Sequence, residues 1–137
     1  MNRIDKRIIE ILRQNSRTPF TQIARRINLP EASVRYRVKS LVKKGVIKRF
    51  TLELAAGGIS SLIGVKTDPN TETRKICNAL LKIQGIERVF ELTGDFDLMT
   101  LVRTSDSNTL NTIIDSIRAT PGVVSTSSFF VLQEHGA

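Results

Sequence analysis

The sequence predicts an α+β fold in two modules: an N-terminal helix-turn-helix (winged-helix-like) domain, then a C-terminal ferredoxin-like βαββαβ sandwich. Three observations predict it. Charge is split along the chain: residues 1–50 carry 14 basic against 3 acidic side chains, net +11, while the rest of this +8 chain nets −3. The basic third holds three short apolar stripes at helical spacing. The remainder alternates strand and helix patterns in an order that repeats once.

With 137 residues, 40% hydrophobic and 25% charged, the chain can bury a core. A pI near 10.3 argues for a polyanionic partner; a basic surface that only aids solubility is the plainer alternative. No apolar run approaches the ~20 residues of a membrane span. Met1-Asn2-Arg3-Ile4-Asp5 lacks a signal-peptide core, so a cytoplasmic protein is expected. One cysteine, Cys77, excludes an internal disulfide and a Cys-rich zinc site. With His135 the single histidine, a metal centre or a Ser-His-Asp triad has little material, and neither metal nor cofactor is expected. Cys77, beside the Ile76 stripe, reads as a buried inert thiol, and His135 as tail.

Ile4, Ile8, Ile11 and Leu12 mark the first helix, with Asp5 early, where the helix dipole favours an acid. The pattern breaks at Asn15-Ser16. Thr18 is the expected cap of a second helix, with Pro19 in its first turn and Phe20, Ile23, Ala24 and Ile27 as its buried stripe. Asn28-Leu29-Pro30 stops it, and a third helix runs to Lys44, ended by Gly45. Its expected core face is Val34, Val38, Leu41 and Val42. Ala32, Arg35, Tyr36, Lys39, Ser40 and Lys43 point the other way.

Two short helices joined by a tight turn make a helix-turn-helix, whose second helix enters the major groove of double-stranded DNA. Ser33, Arg35 and Tyr36 are the candidate readers: Arg35 to fork onto guanine, Ser33 for a base edge or phosphate, Tyr36 for a thymine methyl or phosphate. Lys39, Lys43 and Lys44 suit phosphates. Arg37, near the core edge, is either a DNA contact or an ion-pair partner of Asp5 or Glu10. A solvated basic face on a helical bundle is the alternative for the whole helix. Residues 45–54 alternate and read as a strand, and Ala55-Ala56-Gly57-Gly58 as a hinge. The expected domains are therefore 1–50, a strand and hinge over 51–58, and 59–137.

In the body, Leu62–Thr67 reads as a strand, and Ile76, Ala79, Leu80 and Ile83 as a helix stripe. A strand from Ile86 to Thr93, the turn Gly94-Asp95-Phe96-Asp97 and the strand Leu98–Val102 follow. Ser105-Asp106-Ser107 caps a helix striped by Leu110, Ile113, Ile114 and Ile117, and the last strand is Val124–Leu132. Ile83-Gln84-Gly85-Ile86 and Thr120-Pro121-Gly122-Val123 each sit where a helix ends and a strand begins, which implies a duplicated βαβ unit. Both helices would cover one sheet face. On the second strand Ile86, Phe90 and Leu92 are expected to share a side opposite Val89; on the last, Phe129 and Val131 oppose Phe130 and Leu132. An apolar open face predicts a two-fold dimer packed sheet to sheet.

These residues resemble the Lrp/AsnC family of transcription regulators. In the head the resemblance rests on Asp5, Ile8, Ile9, Leu12 and Asn15-Ser16-Arg17, then Ile23-Ala24, Leu29, Ser33-Val34, Arg37-Val38, Leu41 and Gly45-Val46-Ile47. In the body it rests on Gly94-Asp95-Phe96-Asp97 and Pro121-Gly122-Val123. Pro30 stands where the family usually has Ser. The resemblance implies dimers that assemble into tetramers or octamers and bind a small amino acid between dimers, at Thr93, Gly94, Asp95, Phe96 and Asp97. Turn N–H groups suit a carboxylate, and Asp95 or Asp97 an ammonium. Ordinary turn chemistry is the alternative for those residues. The expected function is sequence-specific transcriptional regulation controlled by an amino-acid effector. The alternatives are a chromatin-like, DNA-organising protein of the nucleoid with weak sequence preference and no effector, and an enzyme or enzyme subunit using Asp95 and Asp97. For the last, no nucleophile–base pair is visible.

Overall fold

The computed structural model describes residues 1–55 and 57–136. The chain forms two compact units, Met1–Ala55 and Ala56–Ala137. Of the expected hinge, Ala56 lies outside the described residues.

The first unit holds α1 (Arg3–Gln14), α2 (Phe20–Ile27) and α3 (Glu31–Lys43). The Asn2 side chain accepts the Asp5 N–H at 2.9 Å and so caps α1. Ile8, Leu12, Ile23, Ala24, Val34 and Val38 form its core. Thr18 does not cap α2: its hydroxyl donates to the Asn15 carbonyl at 2.7 Å, and Pro19 takes the cap position without a side-chain bond. Val42 is not a core residue either. It stands in the last turn of α3, 44% exposed, while Leu41 beside it is buried. The strand expected over 45–54 is not formed. Ile47 packs on the core, but Phe50, Leu52 and Leu54 are exposed. An alternating segment becomes a strand only when a neighbour pairs with its N–H and C=O groups, and residues 1–55 hold no strand to do so.

The second unit is βαββαβ: β1 (Ile59–Thr67), α4 (Thr73–Leu81), β2 (Ile86–Glu91), β3 (Leu98–Thr104), α5 (Ser107–Ala119) and β4 (Val123–Phe130). The sheet order is β2-β3-β1-β4, with antiparallel pairs throughout. Ile63, Val65, Leu98 and Val102 from the sheet meet Ile76, Leu80, Leu110, Ile113 and Ile117 from the helices. The faces of β2 differ from expectation. Its pairing with β3 shifts register between Ile86 and Arg88, so Ile86 and Val89 both join the helix side and Phe90 turns to the open face. One inserted residue reverses the alternation downstream of it. The regular pairing ends at Phe130 rather than Leu132, although the Val131 N–H still reaches the Ser60 carbonyl at 3.0 Å. Cys77 is only partly buried; burial, then the nearby Glu91 carboxylate, push its thiol pKa above the ordinary value, which keeps it a poor nucleophile.

Asp106 caps α5 by accepting the Thr109 N–H at 2.7 Å. That bond holds its carboxyl below the ordinary 3.8. A folded-state pKa lowered in this way contributes stability above the unfolded value and loses it as pH falls through the folded one. Asp106→Ala is therefore expected to lower Tm at neutral pH. The gap from wild type should close on acidification below pH 3.8, as followed by circular dichroism melts across a pH series.

Candidate functional site

The core side of α3 fixes where its other faces look. Val34, Val38 and Leu41 are buried, which leaves Ala32, Tyr36, Lys39 and Lys43 exposed. Tyr36, at 74% exposure, is a large aromatic standing free on a basic helix. One flank of α3, with Ser33, Ser40 and Lys44, borders a cleft of about 530 Å3 that also reaches Asn2 and Asp5 at the start of α1. Arg37 lies on this flank and settles on the structural alternative: its Nη1 donates to Asp5 Oδ1 at 3.1 Å, tying α3 to α1.

The opposite flank carries Glu31 and Arg35. Arg35 Nη2 donates to Glu31 Oε1 at 2.5 Å, one helical turn away. Its guanidinium carbon also sits 5.4 Å from the centre of the Phe20 ring. The candidate guanine reader is thus held on two sides while remaining solvent-accessible.

In the second unit, the β2–β3 connection carries the expected effector residues. Gly94 has φ +113°, a conformation that favours glycine. The connection closes through Leu92 N–H to the Asp97 carbonyl at 3.0 Å. Asp97 is committed to structure: its N–H donates to the Val65 carbonyl at 3.1 Å, and its Oδ2 accepts the Thr67 N–H at 2.7 Å. Asp95 and Thr93 are exposed. Phe96 folds back over Gly64 and meets Phe129 edge to face, centroids 5.9 Å apart. Leu62 pairs with Leu101 and Phe129, and Met99 with Gly64 and Phe90, so all of these share the open sheet face. Arg103 ends that face, bound to Glu87, Ser60 and Glu134.

Residues 1–48 match the winged helix-turn-helix DNA-binding family, and residues 60–136 match the Lrp/AsnC ligand binding domain. The chain belongs to the Lrp/AsnC family. Among its relatives is the HTH-type transcriptional regulator LysM of Sulfurisphaera tokodaii, 46% identical over 130 residues that cover 94% of this chain and 93% of the relative. The LysM of Saccharolobus solfataricus is 40% identical over 130 residues, covering 94% and 92%. The fold is shared with the feast or famine regulatory protein of M. tuberculosis complexed with L-methionine, at TM-score 0.88 and 22% identity, over 98% of this chain and 93% of that one. As an Lrp/AsnC protein the chain is a transcriptional regulator with a DNA-binding head and a ligand-binding body.

Within this Lrp/AsnC body the five effector candidates lie on one connection, but they are not equivalent. Asp97 holds the turn to β1 while staying exposed, Phe96 anchors it to the sheet, and Thr93, Gly94 and Asp95 complete its exposed rim. In the head, the five DNA candidates Ser33, Arg35, Tyr36, Lys39 and Lys43 lie along one side of α3, spread over two flanks and the crest. The contacts of Phe20 and Glu31 with Arg35 were missed; an i,i+4 Glu–Arg spacing was the one signal that could have revealed half of them.

The anchoring of Phe96 is testable. A Cβ on Gly64 would lie 2.7 Å from the ring at Cδ1. Gly64→Ala is expected to cost about 1–3 kcal/mol by overpacking. In a Phe96→Ala background, where the ring is gone, the same substitution should cost clearly less. Urea unfolding of the four-member cycle measures the difference. Equal costs in both backgrounds would show that the ring does not rest on Gly64.

Proposed function

We propose that this Lrp/AsnC regulator binds DNA sequence-specifically through α3, and that a small amino acid at the Thr93–Asp97 turn controls its grip. The observation that carries the reading is the division of labour on α3. Val34, Val38 and Leu41 are buried, while Arg35, Tyr36, Lys39 and Lys43 are all exposed. Such a helix can offer donors and an aromatic surface to base edges and cations to phosphates. Ser33, at the cleft edge, joins the readers.

The open sheet face supports a dimer of two copies. Phe90 is 43% and Phe129 48% exposed there, and an apolar surface of this kind is uncommon on a soluble monomer. Dimers would assemble into tetramers or octamers with the effector between them. The turn rim offers N–H groups to a carboxylate and the Asp95 carboxylate to an ammonium, as a free amino acid requires. An L-methionine complex of the M. tuberculosis protein of the same fold supports that ligand class. A ligand that favours one arrangement of dimers respaces the heads and changes operator affinity by linkage. The role is binding, without catalysis or cofactor, in the cytoplasm at the nucleoid.

A second reading, a DNA-organising protein with weak sequence preference and no effector, is favoured by the net +11 of residues 1–50. Titration against an enriched and a random duplex at several salt concentrations decides. Specific recognition is expected to exceed random binding by about 10³ or more. A ratio near one at every salt would favour the second reading. Light scattering with each of the twenty amino acids in turn tests the effector, which should shift the assembly.

A further inference from the structure

Arg35 stands out from the other cations of the head because it is held before any partner arrives. Lys39 and Lys43 are exposed lysines with no ion pair among the described residues. Arg35 lies over the Phe20 ring, at 5.4 Å from its centre, and is hydrogen-bonded to Glu31. Phe20 is the first residue of α2 and is partly buried against the head core, so its ring is fixed by packing. Glu31 is the one acid of α3. A carboxylate here repels a polyanion, and what it gains is a guanidinium kept in one place. A single Glu31 bond leaves most of the five guanidinium N–H donors uncommitted.

We propose that Phe20 and Glu31 form a seat for Arg35 that sets how sharply the regulator tells its site from random DNA. Phe20 is the positioning residue for base contact. A flexible arginine loses rotamer freedom on binding a base, and a stacked one has lost much of it already. Glu31 acts against random DNA, since a guanidinium bound to its carboxylate is less available to wander to the nearest phosphate. The inference rests on Arg35 being a base reader, as proposed above.

The test uses the full chain and a duplex enriched by it from a randomised library, against a random duplex of equal length. Fluorescence anisotropy is read at three potassium chloride concentrations. Phe20→Leu keeps an apolar side chain but removes the ring, and should lower the enriched-to-random affinity ratio about two- to fivefold. Phe20→Tyr restores the ring and should restore the ratio, which a purely structural role for residue 20 would not require. Glu31→Gln should raise random-duplex affinity about two- to fivefold and steepen the slope of log affinity against log salt by about 0.9. Circular dichroism checks that the helices persist, and if Phe20→Leu unfolds the head, Glu31→Gln decides alone. If Arg35→Ala collapses the ratio while Phe20→Leu and Glu31→Gln leave it at the wild-type value, the seat is wrong and base reading stands. If Arg35→Ala leaves the ratio unchanged, base reading itself fails and the seat falls with it.

Discussion

Phe129→Asp and Phe90→Asp, made separately, are each expected to turn the assembly into monomers and to weaken binding to a two-half-site duplex by about 100-fold or more. Both side chains lie on the open sheet face and are about half exposed in the single chain, at 48% and 43%. Circular dichroism should show helices and sheet retained, while urea unfolding loses the concentration-dependent stability that dimerisation adds. In a dimer the same positions sit under a second sheet. A specific interface buries on the order of 1,200–2,000 Å2, and a carboxylate under it must be desolvated among apolar side chains. DNA affinity falls because the second head then binds as an independent molecule rather than at the effective concentration of a tethered one. Sedimentation and anisotropy on the same samples separate the steps. A variant that stays dimeric with wild-type affinity would show that this face is not the interface.

The order of elements was legible because each follows from local chemistry. The α3 stripe Val34, Val38, Leu41 and the α5 stripe Leu110, Ile113, Ile117 are both buried where helical periodicity puts them, and Asp106 caps α5 as its position suggested. The departures came where a partner outside the local window decides. The alternation in β2 was real, but the register shift between Ile86 and Arg88 reversed it, and no residue there announces a bulge. Phe50, Leu52 and Leu54 alternate as a strand should, yet no strand stands beside them in residues 1–55. The Thr18 hydroxyl could have accepted an α2 N–H as a cap, and instead it donates to the Asn15 carbonyl.

The candidate sites show the same division. The side of α3 that carries Arg35, Tyr36, Lys39 and Lys43 could be read from a helical wheel. That Arg37 belongs to Asp5 could not be singled out from Glu10 or a DNA contact, since 32 residues separate the pair. The commitment of Asp97 to the Thr67 N–H spans 30 residues and was invisible. It engages one oxygen of one of the turn's two carboxylates and leaves Asp95 without such a bond among the described residues. The Phe20 ring packs against the head core, as its place in the α2 stripe predicts, but its outer face serves Arg35 as well. A sequence pattern assigns a side chain to one environment, and a ring has two faces.

Arg35→Ala and the pair Lys39→Ala with Lys43→Ala should weaken DNA binding in two different ways. A bidentate arginine–guanine contact is worth about 1–3 kcal/mol of discrimination. Arg35→Ala is therefore expected to lower affinity for the enriched duplex by about five- to 150-fold. Random-duplex affinity should fall by a smaller factor, because the substitution removes one cation and leaves the Glu31 carboxylate unpaired but breaks no base contact. The lysines make contacts that carry no sequence information. Their double substitution should weaken enriched and random duplexes by the same factor and reduce the salt slope by about 1.8, close to 0.9 for each phosphate contact removed. Anisotropy titrations of both duplexes at several salt concentrations measure all four numbers. Two outcomes oppose the assignment of roles along α3: a uniform loss across both duplexes in Arg35→Ala, or a change of sequence preference in the lysine pair. Either would place the base-reading edge on the crest of the helix, at Tyr36 and Lys39, rather than on the flank that faces α2.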